Sequence, residues 1–273
     1  MLYLVSTPIG NLGDISPRAK QVLEQADLIA CEDTRTSKSL FNLVGIHTKA
    51  TTPYHDHNAD EARPKLIQKL KSGLTVALVS DAGTPLISDP GYKLVRDCLK
   101  EGIKVSTVPG ANAVLSALQL SGLPSSSFYF GGFLPTKSSA RKEHLSAIQH
   151  LKSTLIFYES PNRLLKALQD ILDVYGNREM AVIREITKKF EEVKRDKVTH
   201  LLTDYTQNGE PKGEIVLVIE GATDTPKQNV DWTKLIRTVR PKYPLKKAAE
   251  ILAEQTGHSK KEVYQLILQH EKE

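Results

Sequence analysis

Short apolar runs alternate with amphipathic stretches through the first half of the chain. The runs Leu2 to Ser6, Leu28 to Cys31 and Val76 to Val79 have the aliphatic character of strands buried in a parallel sheet. A helix is predicted from about Ser16 to Ala26, and another is predicted after Thr34. Because strands and helices alternate, the pattern predicts an α/β domain with ligands at the carboxyl ends of its strands.

The strand Val76 to Val79 leads into a long connection, Ser80 to Ser88, which is interrupted by glycine and proline. Connections between a strand and a helix usually span about two to six residues, and longer ones often have a function. This connection contains Asp81 at the strand tip and no cationic residue. It therefore favours a small-molecule site for hydroxyl, amine or cationic groups over a polyphosphate site.

The two aspartates at the ends of this segment receive different predictions. Asp81 is interpreted as a ligand carboxylate, with capping of its own loop as the structural alternative. Asp89 precedes Pro90 and is predicted to be the N-cap of the next helix. Gly102 is expected to end that helix, and Ile103 to Val108 is the next predicted strand.

A second strand-to-helix turn follows at Val108-Pro-Gly-Ala-Asn-Ala113. If the strands that end at Val79 and Val108 are neighbours, Asp81 and the backbone of this turn face one crevice. The turn from Thr7 to Gly10 is then a third wall. The alternative is an ordinary tight connection, although Asn112 can offer polar contacts to a ligand.

The pattern changes after the turn-rich junction Leu123-Pro-Ser-Ser-Ser127, and a second domain with a mixed sheet is predicted. The predicted organisation is an N-terminal α/β domain at 1–122, a C-terminal α/β domain at 123–222 and a basic helical extension at 223–273. The strands predicted in the second domain are Phe128 to Gly131, Thr154 to Tyr158, Met180 to Ile183, Val198 to Leu202 and Ile215 to Ile219.

The extension is predicted to contain two short helices around a turn at Gly257, and Ser259 is the expected cap of the second helix. This arrangement is similar to a helix-turn-helix motif. The apolar positions are Leu245, Ala248, Ala249 and Leu252 in one helix and Val263, Leu266 and Ile267 in the other, with Lys246, Lys247, Lys260 and Lys261 expected at the surface.

Charged and hydroxyl-bearing residues also follow other predicted strands. Such groups can form surface ion pairs and helix caps, or they can converge on one cleft between the domains. The clusters are Glu32, Asp33 and Arg35; Tyr158, Glu159 and Arg163; Glu185 and Lys188; and the turn Gly213-Glu214.

Composition narrows the class of protein. The 273 residues carry a net charge of +5, which is mild support for a polyanionic partner, and the basic, aromatic-flanked stretch Phe133 to Lys142 suits RNA or a strand equally. No apolar run approaches the roughly 20 residues of a membrane span, so a cytosolic protein is expected. Cys31 and Cys98 are interpreted as buried free thiols.

The sequence lacks the motifs that are typical of several kinds of catalysis. There is no G-x-S-x-G elbow, Walker A motif or reactive-cysteine setting, which argues against acyl and phosphoryl transfer. The pair His55 and His57 lacks further ligands, so no metal is expected. Group transfer from a soluble cofactor remains open.

Seven segments of the chain closely resemble segments of the ribosomal RNA small subunit methyltransferase I family. They occur in the same order, and the resemblance covers about residues 1 to 222. That family is a branch of the tetrapyrrole methylase superfamily. The segments are Thr7-Pro-Ile-Gly-Asn-Leu-Gly-Asp14, Glu32-Asp-Thr-Arg35, Ser80-Asp-Ala-Gly-Thr-Pro-Leu-Ile-Ser-Asp-Pro-Gly91, Val108-Pro-Gly-Ala111, Gly132-Phe-Leu-Pro135, Tyr158-Glu-Ser-Pro-Asn-Arg163 and Arg184-Glu-Ile-Thr-Lys188.

The resemblance implies a two-domain homodimer that binds S-adenosylmethionine between its domains and methylates the 2′-hydroxyl of a cytidine in the decoding region of small-subunit rRNA. The partner is then the rRNA or the assembled 30S subunit. The implied cofactor-binding residues are Ile9, Gly10, Asp81, Ala82, Gly83, Asn112, Ala113, Tyr158, Gly213 and Glu214.

Methyl transfer chiefly requires alignment of the two reacting atoms, and a ribose hydroxyl also needs a group that takes its proton. The candidate bases are Glu32, Asp33, Glu159 and Glu185, with Arg35, Arg163 and Lys188 as groups that orient phosphate or ribose. Two other functions stay open. One is methylation of a tetrapyrrole or other small molecule, and the other is non-catalytic nucleic-acid binding through the C-terminal extension.

Overall fold

The computed structural model describes residues 1–209, 211–223, 232–256 and 260–270. They form two compact units, Met1–Gly221 and Ala222–Glu273. The first unit contains two five-stranded sheets, and the second contains helices. No described helix is both long and apolar enough to cross a membrane.

The first sheet is parallel throughout, with the strand order β3-β2-β4-β1-β5. Apolar side chains cover both of its faces, which explains the continuous aliphatic runs in the sequence. The strands are β1 Leu2–Val5, β2 Leu28–Cys31, β3 Thr51–Pro53, β4 Val76–Val79 and β5 Val105–Val108. The helices are α1 Pro17–Gln25, α2 Thr34–Val44, α3 Ala59–Lys71, α4 Tyr92–Lys100 and α5 Ala113–Ser121.

The predicted α/β pattern is confirmed, and so is the cap of α1, where Ser16 accepts a hydrogen bond from the Ala19 N–H. One condition of the predicted crevice is wrong, because β4 and β5 are not neighbours. Strand β1 lies between them and pairs with both. The turns after β1, β4 and β5 nevertheless leave the same edge of the sheet, since the three strands are parallel.

The second sheet is mixed, as predicted, with the order β6-β7-β10-β8-β9. Only β6 and β7 pair in parallel, and the other neighbours are antiparallel. The strands are β6 Phe128–Phe133, β7 Thr154–Glu159, β8 Glu179–Arg184, β9 Glu192–Lys197 and β10 Ile215–Ile219. Helices α6 Ser138–Ile148, α7 Leu164–Tyr175 and α8 Val198–Asn208 pack on one face, and α5 packs on the other.

The strand predicted from Val198 to Leu202 is wrong, because these residues begin α8. Val198, Leu201 and Tyr205 recur at helical spacing and are buried together, so tertiary packing decides for the helix. The neighbouring strand β9 was not predicted. It pairs only with β8 and is highly charged, as edge strands often are.

A buried ion pair joins α6 and α7, which pack on the second sheet. The Arg141 guanidinium is 1% exposed and donates from Nε to Asp170 Oδ2 at 2.7 Å. Asp170 also accepts a hydrogen bond from the Ser138 hydroxyl at 2.8 Å, and Arg141 donates to the Pro135 carbonyl at 3.0 Å. Both charges are therefore compensated inside the protein, as burial requires.

The second unit contains α9 Trp232–Val239, α10 Leu245–Thr256 and α11 Lys260–His270. The predicted apolar positions of α10 and α11 pack into one core, and Leu266 is half-buried. Lys246, Lys247 and Lys260 are exposed, as predicted. The predicted turn at Gly257, the cap at Ser259 and the side chain of Lys261 lie outside the described residues.

Candidate active site

A cleft of about 320 Å³ lies between the carboxyl edge of the first sheet and the second sheet. The first sheet contributes the turns after β1, β4 and β5, and the second sheet contributes β6, the end of β7 and the start of β10. The lining residues are Ile9, Ala82, Gly83, Thr84, Ile87, Ser88, Asp89, Asn112, Ala113, Phe133, Tyr158, Glu159, Ser160, Pro161, Gly213, Glu214, Ile215 and Val216.

The turns after β1 and β4 are fastened to each other by two backbone hydrogen bonds. The Thr7 N–H donates to the Gly83 carbonyl at 2.8 Å, and the Gly83 N–H donates to the Thr7 carbonyl at 3.1 Å. Gly83 has a φ of +81°, and a Cβ there would lie 3.2 Å from Ile9 Cγ2. Glycine is therefore needed for this backbone conformation and for the close approach of the two turns.

Asp89 lines the cleft and does not cap a helix, so the predicted N-cap is wrong. Helix α4 begins at Tyr92, and its N-cap is Gly91 with a φ of +134°. Leu86 and Ser88 also have positive φ values, of 73° and 66°. Such conformations are costly for side-chain-bearing residues and are common at functional sites. The dipeptide Pro90-Gly91 was the available signal, because it marks a turn as readily as a helix start.

Burial raises the pKa of Asp89 to about 6. A hydrogen bond from Ser80 opposes this shift, while the negative charges of Glu32 and Asp81 add to it. Asp89 therefore holds a carboxylate in the cleft at neutral pH at a cost to the folded state.

Asp89→Asn is expected to stabilise the ligand-free protein at pH 7.5. The folded pKa of about 6 lies above the value of roughly 3.9 for an unfolded aspartate, so stability is lost as pH rises between these values. The gain from asparagine should therefore be present above pH 6 and absent near pH 3.5. Thermal unfolding at both pH values measures it.

Asp173→Asn is the control for this prediction. Its hydrogen bond with Lys142 lowers the pKa of Asp173, so the substitution should have the opposite sign at pH 7.5. A fall in the unfolding temperature of Asp89→Asn at pH 7.5 would contradict the account of Asp89.

Asp81 is exposed and is not among the residues that line the cleft. Its Oδ1 accepts a hydrogen bond from the Asp33 N–H at 3.0 Å, and its own N–H donates to Glu32 Oε2 at 3.3 Å. Burial raises the pKa of Glu32, and the nearby Asp81 carboxylate also raises it. These residues form an acidic cluster at the ends of β2 and β4, beside the cleft.

Asp33 and Arg35 form an exposed ion pair at the start of α2. Asp33 caps the helix through the Arg35 N–H at 2.7 Å, and its Oδ2 lies 2.7 Å from the Arg35 guanidinium. The hydrogen bonds from Arg35 hold the pKa of Asp33 well below its usual range. In the structure, Asp33 and Arg35 therefore act as a helix cap and a surface ion pair, which is the alternative that the sequence left open.

Asn112 also combines two features that the sequence left open. It lines the cleft, and its side-chain oxygen caps α5 by accepting a hydrogen bond from the Leu115 N–H at 3.1 Å. The first residues of α5, including Ala113, therefore line the cleft.

Glu159 is buried at the end of β7, with 2% of its surface exposed. Its Oε1 lies 2.5 Å from an Arg163 guanidinium nitrogen and accepts the Ser160 N–H at 2.7 Å. Oε2 is buried and has no hydrogen-bond partner within the part of the chain that the structure describes. Burial raises the pKa of Glu159, although Arg163 and Ser160 oppose the shift.

Aromatic rings form the wall next to Glu159. The Tyr158 ring meets Phe130 and Phe133 edge to face, at centroid distances of 5.1 and 5.3 Å. Phe133 is 60% exposed at the cleft although its ring is apolar. Burial raises the pKa of Tyr158 to about 12, and the charges of Asp89 and Glu214 also raise it, so the hydroxyl stays protonated at neutral pH.

Glu185 and Lys188 lie behind the cleft wall and fix the turn at Gly213. Lys188 Nζ lies 2.9 Å from Glu185 Oε1 and 2.8 Å from Glu214 Oε2, and the Glu214 N–H donates to Glu185 Oε1 at 2.9 Å. A Cβ on Gly10 would lie 2.4 Å from Lys188 Cγ. Lys188 therefore packs closely against the turn after β1, where only glycine leaves room for it.

The structure brings nine of the predicted site residues together and leaves the others around them. The cleft includes Ile9, Ala82, Gly83, Asn112, Ala113, Tyr158, Glu159, Gly213 and Glu214. Beside it are Gly10, Glu32, Asp33, Arg35, Asp81, Arg163, Glu185 and Lys188. The sequence predicted the β4 connection as a ligand site, but it singled out Asp81, Ala82 and Gly83 there and did not name Thr84, Ile87, Ser88 or Asp89 as site residues. Phe133 was interpreted as part of a basic, aromatic-flanked stretch.

The charge of the lining is one-sided. Three carboxylates, from Asp89, Glu159 and Glu214, face the cleft, and no lysine or arginine lines it within the described ranges. Arg163 pairs with Glu159 and Lys188 pairs with Glu214 from outside the lining, whereas Asp89 has no ion pair with a described residue. Such a cleft favours a cationic ligand and disfavours a polyphosphate. In the same ranges, no three His, Cys, Asp or Glu side chains are grouped as ligands of one metal ion, and Cys31 and Cys98 are buried free thiols.

Two protein families match the chain along its length. Residues 1–202 match the family described as Tetrapyrrole (Corrin/Porphyrin) Methylases, and residues 229–271 match the RsmI C-terminal HTH domain. The chain therefore belongs to the tetrapyrrole methylase family.

The resemblance to ribosomal RNA small subunit methyltransferase I is confirmed by relatives of that name. One from Vibrio cholerae is 49% identical over 93% of this chain and 89% of its own length. One from Mesorhizobium japonicum is 46% identical over 98% of this chain and 91% of its own length.

Solved structures share the fold at low sequence identity. A diphthine synthase aligns with a TM-score of 0.60 at 17% identity, covering 81% of this chain and 90% of its own. A uroporphyrin-III C-methyltransferase of Thermus thermophilus, complexed with S-adenyl homocysteine, aligns with a TM-score of 0.54 at 16% identity, covering 80% and 96%. The predicted tetrapyrrole-methylase-like fold is thereby confirmed.

Proposed function

We propose that the protein uses S-adenosylmethionine to methylate the ribose 2′-hydroxyl of a cytidine in the decoding region of small-subunit rRNA. The relatives' names supply the class of substrate, and the resemblance implies the atom and the nucleotide. The observation that carries the proposal is the acidic lining of the cleft, because Asp89, which has no ion pair with a described residue, suits a sulfonium cofactor that also bears an ammonium group.

The residues present fit this cofactor. Asp89 is a half-buried carboxylate in the lining that has no ion pair with a described residue, so it can accept a hydrogen bond from the ammonium group of the cofactor. The residues that would hold the cofactor are Ile9, Ala82, Gly83, Asn112, Ala113, Tyr158, Gly213 and Glu214 in the cleft, with Gly10 and Asp81 at its edge. When bound, the cofactor supplies an electrophilic methyl group.

Glu159 is the proposed acceptor of the proton from the ribose hydroxyl. It is the only one of the four candidate bases Glu32, Asp33, Glu159 and Glu185 among the lining residues. Its pKa is raised by burial, which increases the basicity of the carboxylate, and Arg163 keeps Oε1 in place. Arg163 is thus a positioning residue, and Lys188 positions the turn at Gly213.

Asp81→Ala tests whether the exposed aspartate binds the cofactor. We expect a large loss of cofactor affinity with the fold intact, because Asp81 follows the carboxyl end of β4 beside the cleft, where its negative charge favours a cationic cofactor. Titration calorimetry with S-adenosylmethionine measures the affinity, and Asp173→Ala is a control far along the chain. An unchanged affinity would remove Asp81 from the site.

The helical unit is proposed to contact rRNA through its exposed lysines, and the protein is proposed to act as a homodimer, as the resemblance implies. Exposed Lys246, Lys247 and Lys260 suit a phosphate backbone. Light scattering of the purified protein tests the dimer.

The proposed reaction is tested by incubating the protein with methyl-labelled cofactor and small ribosomal subunits that lack the modification. A parallel incubation contains uroporphyrinogen III in place of the subunits. Label in the rRNA alone is expected. Label in the tetrapyrrole alone would favour the small-molecule alternative, and nucleic-acid binding without transfer to either would favour a non-catalytic protein.

A further inference from the structure

A second cavity, of about 530 Å³, lies next to the cleft and shares a wall with it. Gly213 lines both cavities, and Glu185, which accepts the Glu214 N–H, lines the second. A molecule that extends out of the cleft past the turn at Gly213 therefore meets this cavity next.

Two aromatic rings line the second cavity, each with a cation above it. Phe190 is 62% exposed, and Lys189 Nζ lies 5.6 Å from its ring centroid. The Tyr205 ring is buried, with Lys194 Nζ at 4.7 Å. An exposed phenylalanine beside cationic groups offers a face on which an unpaired base can stack.

Polar donors line the same cavity as the exposed ring. Arg184 donates from Nη2 to the Phe190 carbonyl at 3.2 Å, which fixes the backbone that presents the ring. Asn208 and Lys212 also line the cavity, and Lys212 is exposed and has no ion pair with any described residue. These donors can meet a phosphate or a base edge.

The charges around the second cavity differ from those of the cleft. Among the described lining residues, Glu185 is bound by Lys188, Glu192 lies 3.9 Å from Arg184 and Lys194 is bound by Asp204, so Lys212 is the lining cation without an ion pair. Lys212 adds an exposed positive charge to the lining, and Lys189 lies beside the Phe190 ring. A neutral or cationic occupant suits the cleft, whereas an anionic one suits the neighbouring cavity.

We propose that the second cavity binds the nucleotide adjacent to the methylated one in single-stranded RNA, with its base on Phe190 and its phosphate near Lys212. This inference rests on the proposed RNA substrate. It makes Phe190 a substrate-binding residue that contributes to recognition of the strand and does not take part in methyl transfer.

Phe190→Ala is the direct test, with methyl transfer to unmodified small subunits as the assay. We expect KM for the subunits to rise about tenfold or more, because stacking on an aromatic ring is lost. The kcat at saturating subunits and the cofactor affinity should stay unchanged. Phe190→Trp should restore the wild-type KM, since it retains a stacking face.

Tyr92→Ala is the matched control. Tyr92 is 67% exposed, has Arg96 5.9 Å from its ring and lines neither cavity. Its loss should leave KM unchanged. Lys212→Ala should reduce the slope of log Kd against log salt by about 0.7 to 1, whereas the exposed Lys104→Ala should not.

The outcomes separate the two proposals. If the rRNA is methylated and the KM values of wild type, Phe190→Ala and Tyr92→Ala are equal, the proposed nucleotide binding in the second cavity is overturned. The proposed function is unaffected by that result. Absence of both transfer and subunit binding by the wild type overturns both. Ultraviolet crosslinking adds an independent readout, in which a crosslink at Phe190 to RNA supports the inference and one to a ribosomal protein overturns it.

Discussion

Glu159→Gln is expected to lower kcat for methyl transfer by about 10²- to 10⁴-fold, the range usual for loss of a general base. Glutamine preserves the size of the side chain and can still accept the Ser160 N–H at Oε1. It removes the charge and the basicity of Oε2, which is the buried atom without a described partner. A single-turnover assay with saturating subunits and cofactor measures the rate of the chemical step.

Two controls separate chemistry from damage to the protein. Circular dichroism and titration calorimetry should show an intact fold and measurable cofactor binding in Glu159→Gln. Asp173→Asn changes an ion-paired carboxylate of the same domain outside both cavities and should leave kcat unchanged. If the rate of Glu159→Gln stays within threefold of wild type, Glu159 is not the proton acceptor.

Asp170→Ala is expected to lower the free energy of unfolding by about 3–5 kcal/mol, because it leaves the buried Arg141 guanidinium without its counter-charge. The remaining contacts of Arg141 with the Pro135 and Thr136 carbonyls compensate hydrogen bonds but not charge. Urea unfolding at pH 7 measures the loss.

The matched control for this prediction is Asp173→Ala, which removes an exposed carboxylate from the same helix. Exposed ion pairs contribute about 0–1 kcal/mol, so its effect should be small. Equal losses for the two variants would contradict the importance assigned to the buried pair.

The parallel sheet could be predicted because its strands are buried on both faces and contrast sharply with the helices between them. Strand β9 could not be, since an edge strand of charged residues has no apolar run to mark it. Val198 to Leu202 has the β-branched start of a strand, and only the burial of Leu201 and Tyr205 against α7 decides for a helix.

The sequence predicts which turns form the candidate site, but it predicts less well which side chains face the cleft. Turns that follow parallel strands must meet at one edge, so Ile9, Gly83 and Ala113 could be grouped from the order of elements alone. Which aspartate of the β4 connection faces the cleft depends on the positive φ values of Leu86, Ser88 and Gly91, and the sequence does not specify them. Asp89 was for this reason interpreted as a cap.

The central claim is that the acidic cleft performs ribose methylation of rRNA, and analysis of the labelled nucleosides tests it most directly. Unmodified small subunits are incubated with methyl-labelled cofactor, and their rRNA is digested to nucleosides and separated by liquid chromatography with mass spectrometry. A single labelled product, 2′-O-methylcytidine from the decoding region, is expected for the wild type, and almost none is expected for Glu159→Gln. Label on a base, or label that is unaffected by Glu159→Gln, would contradict it.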